Sequence, residues 1–331
     1  MDSHGTLLDV PGLRVGHAQN EEALTGVTAI LCEAPAVGGV DQRGGAPGTR
    51  ETDPLRPLHN QLVHGITLAG GSAFGLQSAN GVVRYLEEQG LGFDVRVARV
   101  PIVPAAIIFD LALGGADVRP DDAMGYAACL NASADTLPTG NVGAGTGASV
   151  GKLLGLEYAM KSGLGTASVS LDGGLVVGAL VVVNAFGDVV DPRTGDIVAG
   201  VRAPAGASLP PGAAGYFADT IQSLRARAAE PQLQFARPPG RESTVIGVVA
   251  TNARLSKTEI SKVAQMSHSG LARTIRPAST MFDGDTLFAL SVGDVAADVN
   301  IVGAFAAEAV AQAILQGVYA AKPAGGLPAA S

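Results

Sequence analysis

Apolar positions along the chain fall into short, β-branched runs separated by Gly-rich turns, and five of these runs read as strands: Val27 to Cys32, Ala167 to Leu171, Leu175 to Asn184, Thr244 to Thr251 and Thr286 to Val292. Leu175 to Val183 carries no polar side chain, so both of its faces must be covered. Helices are marked by their ends. Ser72 reads as the cap of a helix that runs to Gln89 and stops at Gly90, and Ser256 with Glu259 forms a capping box for a helix that Gly270 ends. A last long helix is expected from about Val299 to Ala321. No strict alternation of strand and helix emerges, and there is no internal repeat. The pattern predicts an α+β protein, a single domain over residues 1–331, with sheets covered by helices.

Composition sharpens this picture. With 331 residues, 47% of them hydrophobic, the chain can bury a sizeable core, and 45 glycines with only 16% charged residues point to close backbone packing and tight turns. The net charge of −8 argues against a nucleic-acid or anionic-membrane surface and favours a small-molecule or peptide partner. Residues 244–331 balance six Lys/Arg against six Asp/Glu, so the whole excess lies before Thr244. Cys32 and Cys129 are far apart and belong to no metal-binding spacing, which makes both buried thiols. The N-terminus has no secretory pattern and the longest apolar run is too short to span a bilayer, so a cytoplasmic protein is expected.

Candidate chemistry begins at Thr244. A Pro/Gly-rich break from Ala203 to Ser243, with a short helix at Tyr216 to Ala229, leads straight into the strand that Thr244 opens. Read structurally, that break is a surface loop and Thr244 an ordinary strand residue. Read functionally, a cut between Ser243 and Thr244 would leave hydroxyl and free α-amine on one residue, a nucleophile with its base attached. Asp283-Gly284-Asp285 stands immediately before the strand at Thr286; residues two apart face the same way, so both carboxylates can point toward the start of a neighbouring strand. One would hold the Thr244 ammonium or hydroxyl and the other would orient the first; a solvated or calcium-binding turn is the plainer alternative. Lys152 after a Gly-rich turn and Asn184 at the end of VVVNAFGD are unusual beside a dry core, and a charge partner and an oxyanion donor would explain them.

Other patterns fail. In Gly143 to Lys152 a phosphate loop would need Gly at Thr146 and Ser or Thr at Leu153. Gly70 to Phe74 lacks the closing Gly of a nucleophile elbow. The histidines His4, His17, His59, His64 and His268 have no metal-ligand spacing, and neither a metal nor a cofactor is expected.

Taken together, GLRVGH (12–17), DQRGGAPGTRETD (41–53), LAGGSAFGL (68–76), VPAAIIFDL (103–111), GNVGAGTGASVGK (140–152), VVVNAFGD (181–188), TVIGVVATNARLSK (244–257) and DGDTLFAL (283–290) give a sequence that resembles the D-aminopeptidase/β-peptidyl aminopeptidase family, including its nylon-oligomer hydrolase branch. The resemblance covers nearly the whole chain. It implies a four-layer α/β/β/α sandwich of the N-terminal-nucleophile type, made as a precursor and split into 1–243 and 244–331, with homotetramers of the processed pair. It also implies Thr244 as nucleophile, Lys152 and Asn184 in the polar site, and Asp283 and Asp285 as supporting carboxylates. Some relatives have Tyr where this chain has Phe109, a candidate substrate contact, and the residue before the cut, Ser243, is often Gly or Asn. The implied activity is removal of N-terminal D-, L- or β-amino acids from peptides, with endo-hydrolysis of 6-aminohexanoate oligomers as the alternative. Acyl transfer of the ornithine acetyltransferase type and a non-catalytic binding protein are the readings from other classes.

Overall fold

A computed structural model of the protein describes residues 5–58, 62–204, 206, 215–228 and 242–330. Nine strands form its main sheet: β1 (Leu13–Asn20), β2 (Thr25–Gln42), β3 (Thr49–Arg50), β4 (Leu62–Ala69), β5 (Ala105–Ile107), β6 (Leu164–Ser170), β7 (Val176–Val182), β8 (Ile246–Ala253) and β9 (Thr286–Val295). Their order is β6-β7-β8-β9-β2-β4-β5-β3, with β1 on the first half of β2. Only β8–β9 and β4–β5 run parallel. The helices are α1 (Ser78–Glu88), α2 (Asp122–Leu130), α3 (Thr220–Ala226), α4 (Lys257–Thr274) and α5 (Val299–Tyr319).

β2 turns one sheet into two layers. Its first half pairs with β1 and β4, its register breaks between Leu31 and Ala36, and its second half pairs with β9 from Val37↔Ser291 to Gln42↔Thr286. Side-chain alternation then builds three apolar cores. On β7, β8 and β9 one set, Val177, Ala179, Val181, Val249, Leu287 and Ala289, packs with residues of α4 and α5 such as Val263 and Val310. The alternate set, Leu180, Val182, Ile246, Val248, Phe288 and Leu290, faces the other way and meets Ile30, Ile66 and Leu68 of β2 and β4. Beyond these, Val27, Ala29 and Ala69 face Val82, Leu86 and Cys129 of α1 and α2. The result is the α/β/β/α sandwich that the resemblance implies. It also explains why β7 reads as uninterrupted apolar sequence: neither of its faces meets water.

Several boundaries differ from those the sequence predicts: β8 begins at Ile246, so Thr244 stands two residues before it rather than opening it, and β2 runs on beyond Cys32 to Gln42. Ser72 does not cap a helix: it sits at φ +54° with its N–H on Ile108 O, a 3₁₀ turn covers Ser72–Gln77, and α1 begins at Ser78. α4 starts at the expected capping box but runs past Gly270 to Thr274. Gly270 is there for close approach, since a Cβ on it would lie 2.0 Å from the carbonyl oxygen of Ala307 on α5. The helix expected at Tyr216 to Ala229 is the shorter α3, its Thr220 held by the buried Asp188 carboxylate. Most of the break around it, residues 205, 207–214 and 229–241, lies outside the described residues. Cys32 and Cys129 are free, buried thiols. α5 is long and apolar enough to cross a membrane, but it packs on β6, β7 and α4 as a core helix.

Candidate active site

The parallel pair β8–β9 brings Thr244 and the Asp283-Gly284-Asp285 turn side by side at the same end of the sheet, with Ser243 bridged to Asp283. Thr244 N–H donates to the main-chain oxygen of Asn184 at 2.7 Å, where β7 ends. Lys152 comes from the turn beneath: its N–H donates to Phe186 O at 3.0 Å and its Nζ to Asn184 Oδ1 at 2.7 Å. Five of the sequence candidates, Thr244, Lys152, Asn184, Asp283 and Asp285, are therefore assembled in one place, each at most 3% exposed.

Ser243 and Thr244 are covalently continuous here, and the peptide bond between them is the most constrained feature of the site. The Ser243 carbonyl oxygen accepts the Gly284 N–H at 2.9 Å and the Thr244 hydroxyl at 2.5 Å. Gly284 is required at that spot, because a Cβ would stand 2.5 Å from Ala46 O and 2.9 Å from Thr244 Oγ1.

In the continuous chain the carboxylates bond elsewhere. Neither accepts a hydrogen bond from Thr244. Asp285 Oδ1 takes the N–H of Val245 at 2.9 Å, and its Oδ2 takes the N–H and hydroxyl of Ser279 at 2.8 and 3.0 Å. Asp283 takes Phe186 N–H at 3.2 Å and both the N–H and hydroxyl of Thr280 at 2.9 and 2.5 Å. Asp285 fixes the backbone just after Thr244, and Asp283 fixes the segment that follows Asn184, rather than either gripping Thr244 itself. Asn184 is likewise occupied: its Nδ2 donates to Phe109 O at 3.2 Å and its Oδ1 also accepts Ser149 N–H at 3.1 Å. In the continuous chain the donors to the Ser243 carbonyl are thus Gly284 N–H and the Thr244 hydroxyl, not Asn184.

Burial sets the protonation of this cluster. It pushes the Asp285 carboxyl up to about 7, with the nearby Asp283 charge adding to the rise, and it also raises Asp283. Lys152 is driven down to about 7 by the same desolvation, against the opposing pull of Asp283, Asp110 and Glu242.

Phe109 lines a small pocket together with Asp110, Gly147, Ser149, Leu156 and Lys152, and its main-chain oxygen accepts the Asn184 amide, so the residue borders the site. Two further buried charges were not singled out from the sequence. Asp110 accepts Thr25 Oγ1 at 2.8 Å and Gly71 N–H at 2.7 Å, and burial raises it to about 6. The signal that marked Asn184, a polar residue closing an apolar run, was present there too. Lys161 is the other, and a lysine following Ala-Met carries no such mark.

The layers define the fold class. The Burkholderia sp. β-aminopeptidase structure superposes with a TM-score of 0.68 at 22% identity, covering 100% of this chain and 92% of that one. An L-aminopeptidase D-Ala-esterase/amidase from Ochrobactrum anthropi, a variant of the Ntn-hydrolase fold, does so with a TM-score of 0.69 at 19% identity, over 97% and 88%. This is an Ntn-hydrolase fold. The model of peptidase family S58 matches residues 5–329, and the chain belongs to that family. An uncharacterised aminopeptidase of Mycobacterium bovis is 43% identical over 98% of this chain and 96% of its own length. A 6-aminohexanoate-oligomer endohydrolase of Kocuria sp. is 34% identical over 93% and 84%. The protein is a hydrolase of peptide or other amide bonds.

Proposed function

We propose that the protein cuts itself between Ser243 and Thr244 and then acts as an aminopeptidase on short peptides with N-terminal D-, L- or β-amino acids. The observation that carries this reading is the Ser243 carbonyl, polarised by Gly284 N–H at 2.9 Å and in contact with the Thr244 hydroxyl at 2.5 Å. Thr244 Oγ1 adds to the Ser243 carbonyl carbon while the oxyanion rests on Gly284 N–H. Lys152, whose Nζ is 3.4 Å from Glu242 O, takes up and returns the proton. The C–N bond breaks, the Thr244 nitrogen leaves as an amine, and water cleaves the ester to a Ser243 carboxylate and a free Thr244. The fragments 1–243 and 244–331 stay together, because β8 and β9 are inserted in the sheet between β7 and β2.

Turnover repeats the same steps with a substrate amide. The new α-amine, with a reference pKa of about 7.7–8.0, accepts the hydroxyl proton near neutral pH. The acyl group passes to Thr244, the substrate's amine leaves with the proton, and water releases the acid. Asp283 and Asp285 keep Phe186, Val245 and the Gly284 turn in place throughout. A tetramer of processed pairs in the cytoplasm completes the reading. Endo-hydrolysis of 6-aminohexanoate oligomers is the second reading, supported by the Kocuria relative.

A substrate panel tests the assignment. Purified processed protein is given dipeptide amides with D-, L- and β-amino acids at the N-terminus, and linear 6-aminohexanoate oligomers, with ornithine as an added acyl acceptor. Release of the N-terminal residue is the expected result. Internal cleavage of the oligomers alone selects the second reading; a transferred acyl group on ornithine, or no turnover of any amide, contradicts both.

A further inference from the structure

Lys161 is fully buried, and the chemistry above leaves it without a task. Its Nζ donates to Ala148 O at 2.8 Å, Ser162 O at 2.5 Å and Gly145 O at 3.3 Å, which occupies all three ammonium protons. Two of those carbonyls belong to the Gly-rich turn whose next residue, Ser149, donates its N–H to Asn184 Oδ1 at 3.1 Å. The third is that of Ser162, whose N–H returns to Ala148 O at 3.1 Å and whose hydroxyl bonds to the carbonyl of Val183, the residue before Asn184. One ammonium thus ties together the two segments that flank Asn184.

A buried ammonium carries a desolvation penalty of several kcal/mol, and an apolar side chain would fill the space without it. The charge therefore calls for a role of its own. Burial lowers Lys161 to about 7, and two titratable groups act beside it: Asp110, which favours the ammonium, and Lys152, which opposes it. Lys152 in turn faces Asp283, Asp110 and Glu242, all favouring its charge.

We propose that Lys161 is a positioning residue of the amide-cleaving site: it holds the Asn184 side chain in register through Ser149 and Ser162, and its positive charge disfavours a second charge on Lys152. This rests on the reading of Lys152 and Asn184 as site residues. Because the two ammonium groups repel, removing one makes the other easier to protonate.

The test compares pH–rate profiles of amide hydrolysis for the wild type, Lys161→Met and Lys161→Gln, with Lys152→Met as the control. In the Lys161 variants kcat falls by about tenfold or more, KM changes less than about threefold, and the limb set by Lys152 moves to higher pH by roughly half a unit. An unmoved profile overturns the proposal, whether or not kcat falls. Should the Lys161 variants fail to fold, the reciprocal shift is read without touching Lys161. The ¹³Cε resonance of Lys161 is titrated in lysine-labelled Thr244→Ala and in Thr244→Ala/Lys152→Met. An upward shift in the double variant supports the coupling and an unchanged midpoint ends it. A Lys152→Met enzyme with wild-type activity is a separate outcome, which removes the site assignment itself.

Discussion

Asn184 holds Thr244 from one side and Lys152 from the other: its main-chain oxygen accepts the Thr244 N–H at 2.7 Å, and its side-chain oxygen accepts the Lys152 ammonium at 2.7 Å. The segment just past the end of β7 thereby sets Thr244 and Lys152 against each other. Replacing Asn184 separates the two effects. Asn184→Ala leaves the backbone bond to Thr244 in place but frees Lys152, and turnover by the processed enzyme should fall by about 10²-fold or more. Asn184→Asp puts a carboxylate against the same ammonium and stabilises it, so the Lys152-dependent limb of the pH profile should move upward from about 7. Equal pH profiles for Asn184→Asp and the wild type would disconnect the two residues.

Asp285 makes a prediction about stability. Its folded carboxyl titrates at about 7 against an ordinary 3.8, so the folded state binds the extra proton and the contribution to stability, complete below about pH 4, is lost as pH rises through about 7. Asn cannot ionise. Relative to an uncut Thr244→Ala parent, the stability difference of Asp285→Asn should therefore shift in the variant's favour as pH rises from about 4 to 7 and change little above that. Urea unfolding at three pH values checks the sign; a difference that stays constant with pH would mean that Asp285 is already ionised in the folded chain.

Gly284 links backbone geometry to processing. Its N–H polarises the Ser243 carbonyl, and an added methyl group would press on Ala46 O and Thr244 Oγ1 at once. Gly284→Ala should slow self-cleavage by about tenfold or more in the chain that folds, since the clash reaches the backbone of Ala46 and Pro47 as well as the Thr244 hydroxyl. The half-time of fragment appearance on a denaturing gel measures this, and a wild-type half-time would remove Gly284 from the account.

Much of this architecture was legible in the sequence, and the reasons are physical. β7 and β8 are covered on both faces, so their apolar runs stand out, and the Ser256/Glu259 box announces α4 because two side chains must satisfy two backbone groups there. β2 was legible only to Cys32, since Glu33, Ala34 and Pro35 are exposed at its bend and interrupt the pattern. Thr244, Asp283 and Asp285 were recognisable by their order before two strands, and parallel pairing of those strands is what brings them together. What the carboxylates bind was only partly legible: the hydroxyls of Ser279 and Thr280 lie close in sequence, but the N–H groups of Val245 and Phe186 are backbone donors, which leave no trace in residue identity. The same holds for Gly284 N–H and for the carbonyls around Lys161, which depend on how distant turns meet.

The central claim is that Thr244 is a nucleophile released by its own attack on the Ser243 carbonyl. Intact mass under denaturing conditions tests it most directly, on the wild type beside Thr244→Ala and Thr244→Ser. The account predicts fragments 1–243 and 244–331 in the wild type and, more slowly formed, in Thr244→Ser, with a single 331-residue chain in Thr244→Ala. An uncut wild type that hydrolyses amides, or a Thr244→Ala chain cut at the same bond, would contradict it.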